Sequence, residues 1–155
     1  MFSLAGLAAC QAGVSLPSDG LLMVGNWGGD GSGLIVQEDQ THVHIGCTFG
    51  DVAGRIELDS SGRFTVDGSY VLRAYPVQVG PSLPAQFTGR VRGRTLTLAV
   101  AVNDTVEKRV VALGPVTVTF GRSPDLGPCP ICVVPKRVSV PGAAAPRSAA
   151  PPPSP

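Results

Sequence analysis

No stretch of this sequence repeats its apolar residues every 3.6 positions, and no apolar run reaches the roughly 18 residues that a membrane-spanning helix needs. Almost no helix is therefore expected. Charge is scarce too: charged side chains make up 15% of the 155 residues, while glycine (20) and proline (15) are plentiful. The formal net charge of +1 hides a less basic body, because Lys136, Arg137 and Arg147 all fall near the C-terminus. Residues 1–132 carry nine basic and eleven acidic side chains, a balance of −2. A body this close to neutral argues against nucleic acid as a partner, since such binding calls for a clustered positive face. Two catalytic signatures are also missing. The glycine-rich stretch 25–33 lacks the GxGxxG spacing and precedes no helix, so it is not a phosphate cradle. Gly31-Ser32-Gly33 has His42 nearby but lacks the GxSxG nucleophile elbow.

What the sequence has in quantity is period-two alternation. In residues 95–102, Leu96, Leu98, Val100 and Val102 fall on one strand face while Thr95, Thr97, Ala99 and Ala101 take the other. Phe87 to Val91 repeats the pattern on the way in, so Gln86–Val102 reads as a β-hairpin folded around Arg92-Gly93. Its apolar face is the best sequence-level estimate of the inner wall of a core. Further strands are expected at 34–37, 41–47, 52–57, 63–71, 106–113 and 116–120, the last two parted by a Gly114-Pro115 break. Stretch 25–33, with the single Trp27, reads as a tight glycine loop. About eight short strands joined mostly by tight turns imply an all-β fold: one antiparallel meander forming a small barrel or barrel-like sandwich. Closure into a barrel removes both exposed edges. Strands of about six residues and inward Leu, Val and Phe favour solid packing over a cavity.

The two ends differ from the body. Leu7-Ala8-Ala9-Cys10 resembles the lipobox of a bacterial lipoprotein signal, with Cys10 as the lipidated residue, although no positive n-region precedes it. The expected organisation is a partial signal at 1–10, a tether at 11–24, a β-barrel domain at 25–132 and a disordered Pro/Ala-rich tail at 133–155. The expected location is outside the cytoplasm, periplasmic or membrane-anchored through lipid. In such an oxidising compartment Cys47 and Cys129 are the natural disulfide pair, with Cys132 the alternative partner of Cys47.

His42 and His44 share one face of their strand, and Cys129-Pro130-Ile131-Cys132 is a CxxC. Together they offer the four nitrogen and sulfur ligands that tetrahedral zinc prefers. The simpler expectation is two histidines on a polar face, with no metal and no cofactor. Asp51, Glu57, Asp59 and Asp67 are expected at strand ends and turns. No catalytic residue is assigned.

Several residue groups carry a resemblance. Trp27-Gly28-Gly29-Asp30, Cys47-Thr48-Phe49-Gly50, Gly62-Arg63-Phe64, Phe87 to Gly93, Gly121-Arg122-Ser123-Pro124 and Cys129 resemble a family of bacterial exported proteins and lipoproteins with no established activity. The resemblance spans about residues 25–130 and implies location and fold. Gly25-Asn26-Trp27 with Arg122 is also similar to the Gly-x-Trp and closing Arg of calycin barrels such as lipocalins, which implies that Arg122 packs on Trp27 and plugs one end. The expected function is a non-catalytic binding or structural module of the bacterial envelope, monomeric, with an unidentified protein or small-molecule partner. Alternatives are a secreted hydrolase inhibitor, using 11–25 or 75–84, and a small-ligand carrier of calycin type, which needs a cavity of about 300 Å³ or more.

Overall fold

The structure, a computed structural model, describes residues 20–73 and 79–129. Cys10, Cys132 and the tail 133–155 lie outside the described residues. Eight antiparallel strands follow one another in sequence order and close into a barrel. They are β1 (Gly25–Gly29), β2 (Ser32–Val36), β3 (Gln40–Ile45), β4 (Thr48–Ala53), β5 (Arg63–Val71), β6 (Leu83–Arg92), β7 (Thr95–Asp104) and β8 (Arg109–Phe120). Closure rests on two residue pairs between β1 and β8, Trp27 with Phe120 and Gly28 with Thr119.

The β6–β7 hairpin forms as the alternation demands. Leu96, Leu98, Val100 and Val102 are buried, while Thr97 and Ala101 face out. Its turn falls one residue later than expected: Arg92 pairs with Thr95, leaving Gly93 and Arg94 as the loop, with Gly93 at φ 60°. Gly114-Pro115 does not separate two strands. Leu98 opposes Val116 and Val100 opposes Leu113, so Gly114 and Pro115 face Ala99 as a bulge inside one long β8. A bulge tolerates proline because no ladder N–H is required there.

Two other boundaries shift. Stretch 25–33 is mostly strand: β1 and β2 pair from Gly25–Val36 to Gly29–Ser32, and the turn shrinks to Asp30-Gly31. The strand expected at 52–57 lies instead at Thr48–Ala53. Glu57 makes an isolated bridge to Leu21. The total of eight survives because β1 is gained where two expected strands fuse into β8.

The interior is filled by side chains. Trp27, Tyr70, Phe87, Leu22, Ile56, Leu83, Leu96 and Leu98 are the largest of those under 2% exposed. Burial of each large apolar side chain stabilises the fold by about 1.5–3 kcal/mol. Leu22 and Ile56 belong to segments that hydrogen-bond to each other, the Leu22 N–H to the Ile56 carbonyl (2.9 Å) and the Leu58 N–H to the Gly20 carbonyl (2.7 Å). Residues 20–24 are therefore part of the barrel domain, and the expected tether at 11–24 does not extend to them.

Among the described residues three polar side chains are fully buried, Ser32, Thr41 and Asp104, and Asp104 is the charged one. Asp104 is fully buried at the end of β7, where its carboxylate accepts from Arg73 Nη2 (2.6 Å) and from the N–H groups of Val106 (3.0 Å) and Glu107 (3.1 Å). The Arg73 guanidinium, aided by the Glu107 and Val106 amides, holds the Asp104 carboxyl below its ordinary value of 3.8, against the opposing effect of burial. A depressed folded-state pKa gives stability that is present above the unfolded value and lost as pH falls through the folded one. Melting temperature should therefore drop as pH falls below 3.8, and Asp104→Asn should lower stability at neutral pH while flattening that acid limb. A variant whose acid limb is as steep as the parent's would show that other carboxylates carry it.

Candidate functional site

After β8 the chain turns at Gly121 and crosses the outside of β1, β2 and β3 as a strap, residues 121–129. Gly31 N–H donates to the Asp125 carbonyl (2.6 Å) and Asp125 N–H to the Gly29 carbonyl (3.1 Å), a short parallel bridge. The Cys47–Cys129 disulfide then ties the strap to the β3–β4 turn, with 5.5 Å between the Cα atoms across a sequence separation of 82.

The strap explains why the stretch beneath it is glycine-rich. A Cβ on Gly28 would lie 2.3 Å from the Ser123 carbonyl carbon, and one on Gly33 would lie 2.5 Å from Pro124 Cβ. Both side chains must be absent for the strap to lie flat. The glycines serve the close approach of the strap, Gly28 to the backbone of Arg122 and Ser123 and Gly33 to the Pro124 ring.

Strap and sheet enclose a hollow of about 230 Å³ lined by Asn26, Ile35, His42, His44, Pro124 and Leu126, with Gly33 and Leu34 at its floor. On β3 the two histidines sit at alternate positions, and the register sets Asp51 of β4 directly opposite His42 and Phe49 opposite His44. Asp51 Oδ1 is 2.6 Å from His42 Nδ1, and His42 Nε2 is 2.9 Å from His44 Nε2. The Phe49 ring lies 5.7 Å from His42 and 5.8 Å from His44, between centroids. A carboxylate can only accept, so His42 donates its Nδ1–H to Asp51, and when both rings are neutral a bare His42 Nε2 accepts from the His44 Nε2–H. Both rings are half-buried. Burial first, and then His42 beside it, push His44 below its ordinary pKa of 6.5, with Asp51 pulling the other way.

The sequence-predicted site residues separate as follows. Cys47 and Cys129 are brought together. His42 and His44 share a face as the alternation requires, but Cys129 is held in the disulfide, so the four-ligand zinc set does not assemble. Among the described residues no group of three or more His, Cys, Asp or Glu is placed to hold a metal. Trp27 and Arg122 do not meet. Trp27 points into the core, donating Nε1–H to the Met23 carbonyl (3.1 Å), while Arg122 follows the outer face and bonds Asp30 (2.6 Å). The cation at the closing seam is Arg94, 5.2 Å over the Phe120 ring, and Phe120 in turn meets Trp27 edge-on at 5.3 Å. A basic side chain does pack on an aromatic where the barrel closes, but Arg94 and Phe120 supply it.

Asp51 is the residue that sequence reasoning misplaces. Set at a strand end, it looks solvated; inside β4 it is the carboxylate that orients His42. Asp67 likewise lies within β5, whereas Asp59 is in a turn as expected, its carboxylate accepting from the Ser61 and Arg63 amides. No protein-family model, characterised protein or solved structure matches the chain.

Proposed function

We propose that the protein is an exported, lipid-anchored, non-catalytic binding module of the bacterial envelope that engages its partner on the outside of the barrel. The observation that carries this reading is the Cys47–Cys129 disulfide, which ties the strap across the outer face. Such a bond persists in oxidising compartments and is rare where thiols are kept reduced. Two further points support it. The lipobox-like Leu7-Ala8-Ala9-Cys10 supplies the anchor. Trp27, Tyr70 and Phe87 are buried in the interior, which favours the outer surface as the place of binding.

The test is the mass of protein recovered from the membrane fraction after expression in a bacterial host. The expected result is a diacylglycerol adduct on Cys10 together with an oxidised Cys47–Cys129 pair. An unmodified soluble species would overturn the anchored reading.

A further inference from the structure

We infer that His42 and His44 form a two-imidazole chelate for a divalent transition-metal ion that favours tetragonal coordination, Cu(II) in particular, with the remaining positions open to the hollow under the strap. The proposal stands whether or not Cys10 carries lipid.

Three observations on the outer face support it. The first is bite. His42 Nε2 and His44 Nε2 are 2.9 Å apart. Two nitrogens each about 2.0 Å from one ion are separated by about 2.8–2.9 Å when they subtend a right angle, and by about 3.3 Å in a tetrahedron. The observed spacing fits adjacent positions of a square plane. An ion bound to both nitrogens would lie about 1.4 Å off the line that joins them, so both rings turn toward it as it displaces the proton they share.

The second is orientation. A metal-bound imidazole commonly donates its other N–H to a carboxylate, which fixes the tautomer and raises the basicity of the ligating nitrogen. His42 donates its Nδ1–H to Asp51 in this way at 2.6 Å. Asp51 is thus a positioning residue, acting through His42.

The third is access. Both rings line the 230 Å³ hollow beside Asn26, Ile35, Pro124 and Leu126. That volume admits water or a small donor ligand to the open coordination positions, while Phe49 covers the rings on the β4 side. Binding by neutral imidazoles follows the order in which Cu(II) exceeds Ni(II) and Zn(II).

The chain contains two histidines, so any imidazole signal from bound metal assigns itself. The experiment uses untagged, full-length, disulfide-intact protein titrated with Cu(II) and followed by electron paramagnetic resonance. One equivalent should give a tetragonal spectrum, and the pulsed experiment should show the remote nitrogens of two imidazoles. His42→Gln and His44→Gln should each weaken Cu(II) binding at least tenfold. Asp51→Asn should weaken it about 10–100-fold while still showing two imidazoles, a combination that loss of folding would not produce. Coordination by amine or thiol without imidazole would overturn the proposal, as would equal uptake by the double histidine variant or tighter binding of Zn(II) than of Cu(II). The resonance measurement on the unmutated protein is decisive even if a variant fails to fold.

Discussion

Replacing Trp27 with alanine should cost about 3–5 kcal/mol, the usual range for deleting a buried aromatic side chain. For a domain of this size that corresponds to a fall in melting temperature of roughly 10–30 °C. The large effect follows from position. β1 meets β8 through two residue pairs, so backbone hydrogen bonding at the closing seam is slight and side-chain packing must supply the rest. Trp27 is fully buried there, touches Phe120 edge-on and donates its indole N–H to Met23. Alanine would leave a void at the seam and an unpaired Met23 carbonyl. Trp27→Phe keeps most of the apolar volume and loses the donor, and should cost about 1–2 kcal/mol. Thermal unfolding followed by far-UV circular dichroism measures both variants, since removing the one tryptophan removes intrinsic fluorescence as a probe. A Trp27→Ala protein melting within a few degrees of the parent would show that the seam is held by something other than this ring.

Cys47→Ser with Cys129→Ser should be the next most damaging change. The bond closes a loop of 82 residues in sequence, for which the chain-entropy treatment gives roughly 4 kcal/mol as an upper value. The loss differs in character from that of Trp27. The strap lies outside the sheet, so the core residues keep every contact when the bond is absent, and far-UV dichroism should show unchanged β content at low denaturant. The denaturation midpoint should fall, and the strap should become a site of early proteolysis. The native protein contains four cysteines and should present at most two reactive thiols before reduction. Three or four would contradict the Cys47–Cys129 bond.

These two changes also separate the two ways in which the domain is closed. Trp27 joins first strand to last from inside, by packing. The disulfide joins the chain after the last strand to the β3–β4 turn from outside, by a covalent link. The strap is the part of the molecule that turns an otherwise plain sheet surface into a hollow, and Gly28 and Gly33 make room for it.

The sequence by itself determined the period-two strands, the inward set Leu96, Leu98, Val100 and Val102, an antiparallel meander of about eight strands and the near-absence of helix, while the choice between Cys129 and Cys132 as the partner of Cys47 was left to the structure. What it determined follows from local chemistry: alternation places a side chain on one of two faces wherever the strand ends up. Tertiary structure alone decided the rest. The strand at 48–53 could not be located from its residues, because Gly50 and Asp51 interrupt the apolar pattern while Val52 and Ile56 suggest a later strand. A four-residue displacement there hides the fact that Asp51 faces His42, since cross-strand neighbours depend on register. Arg122 and Trp27 look like partners in a linear motif, yet the sheet itself stands between them, one residue facing the core and the other the outer surface. The site on the outer face therefore arises from pairing between strands and from a strap laid over them, and neither is encoded in any single stretch of sequence.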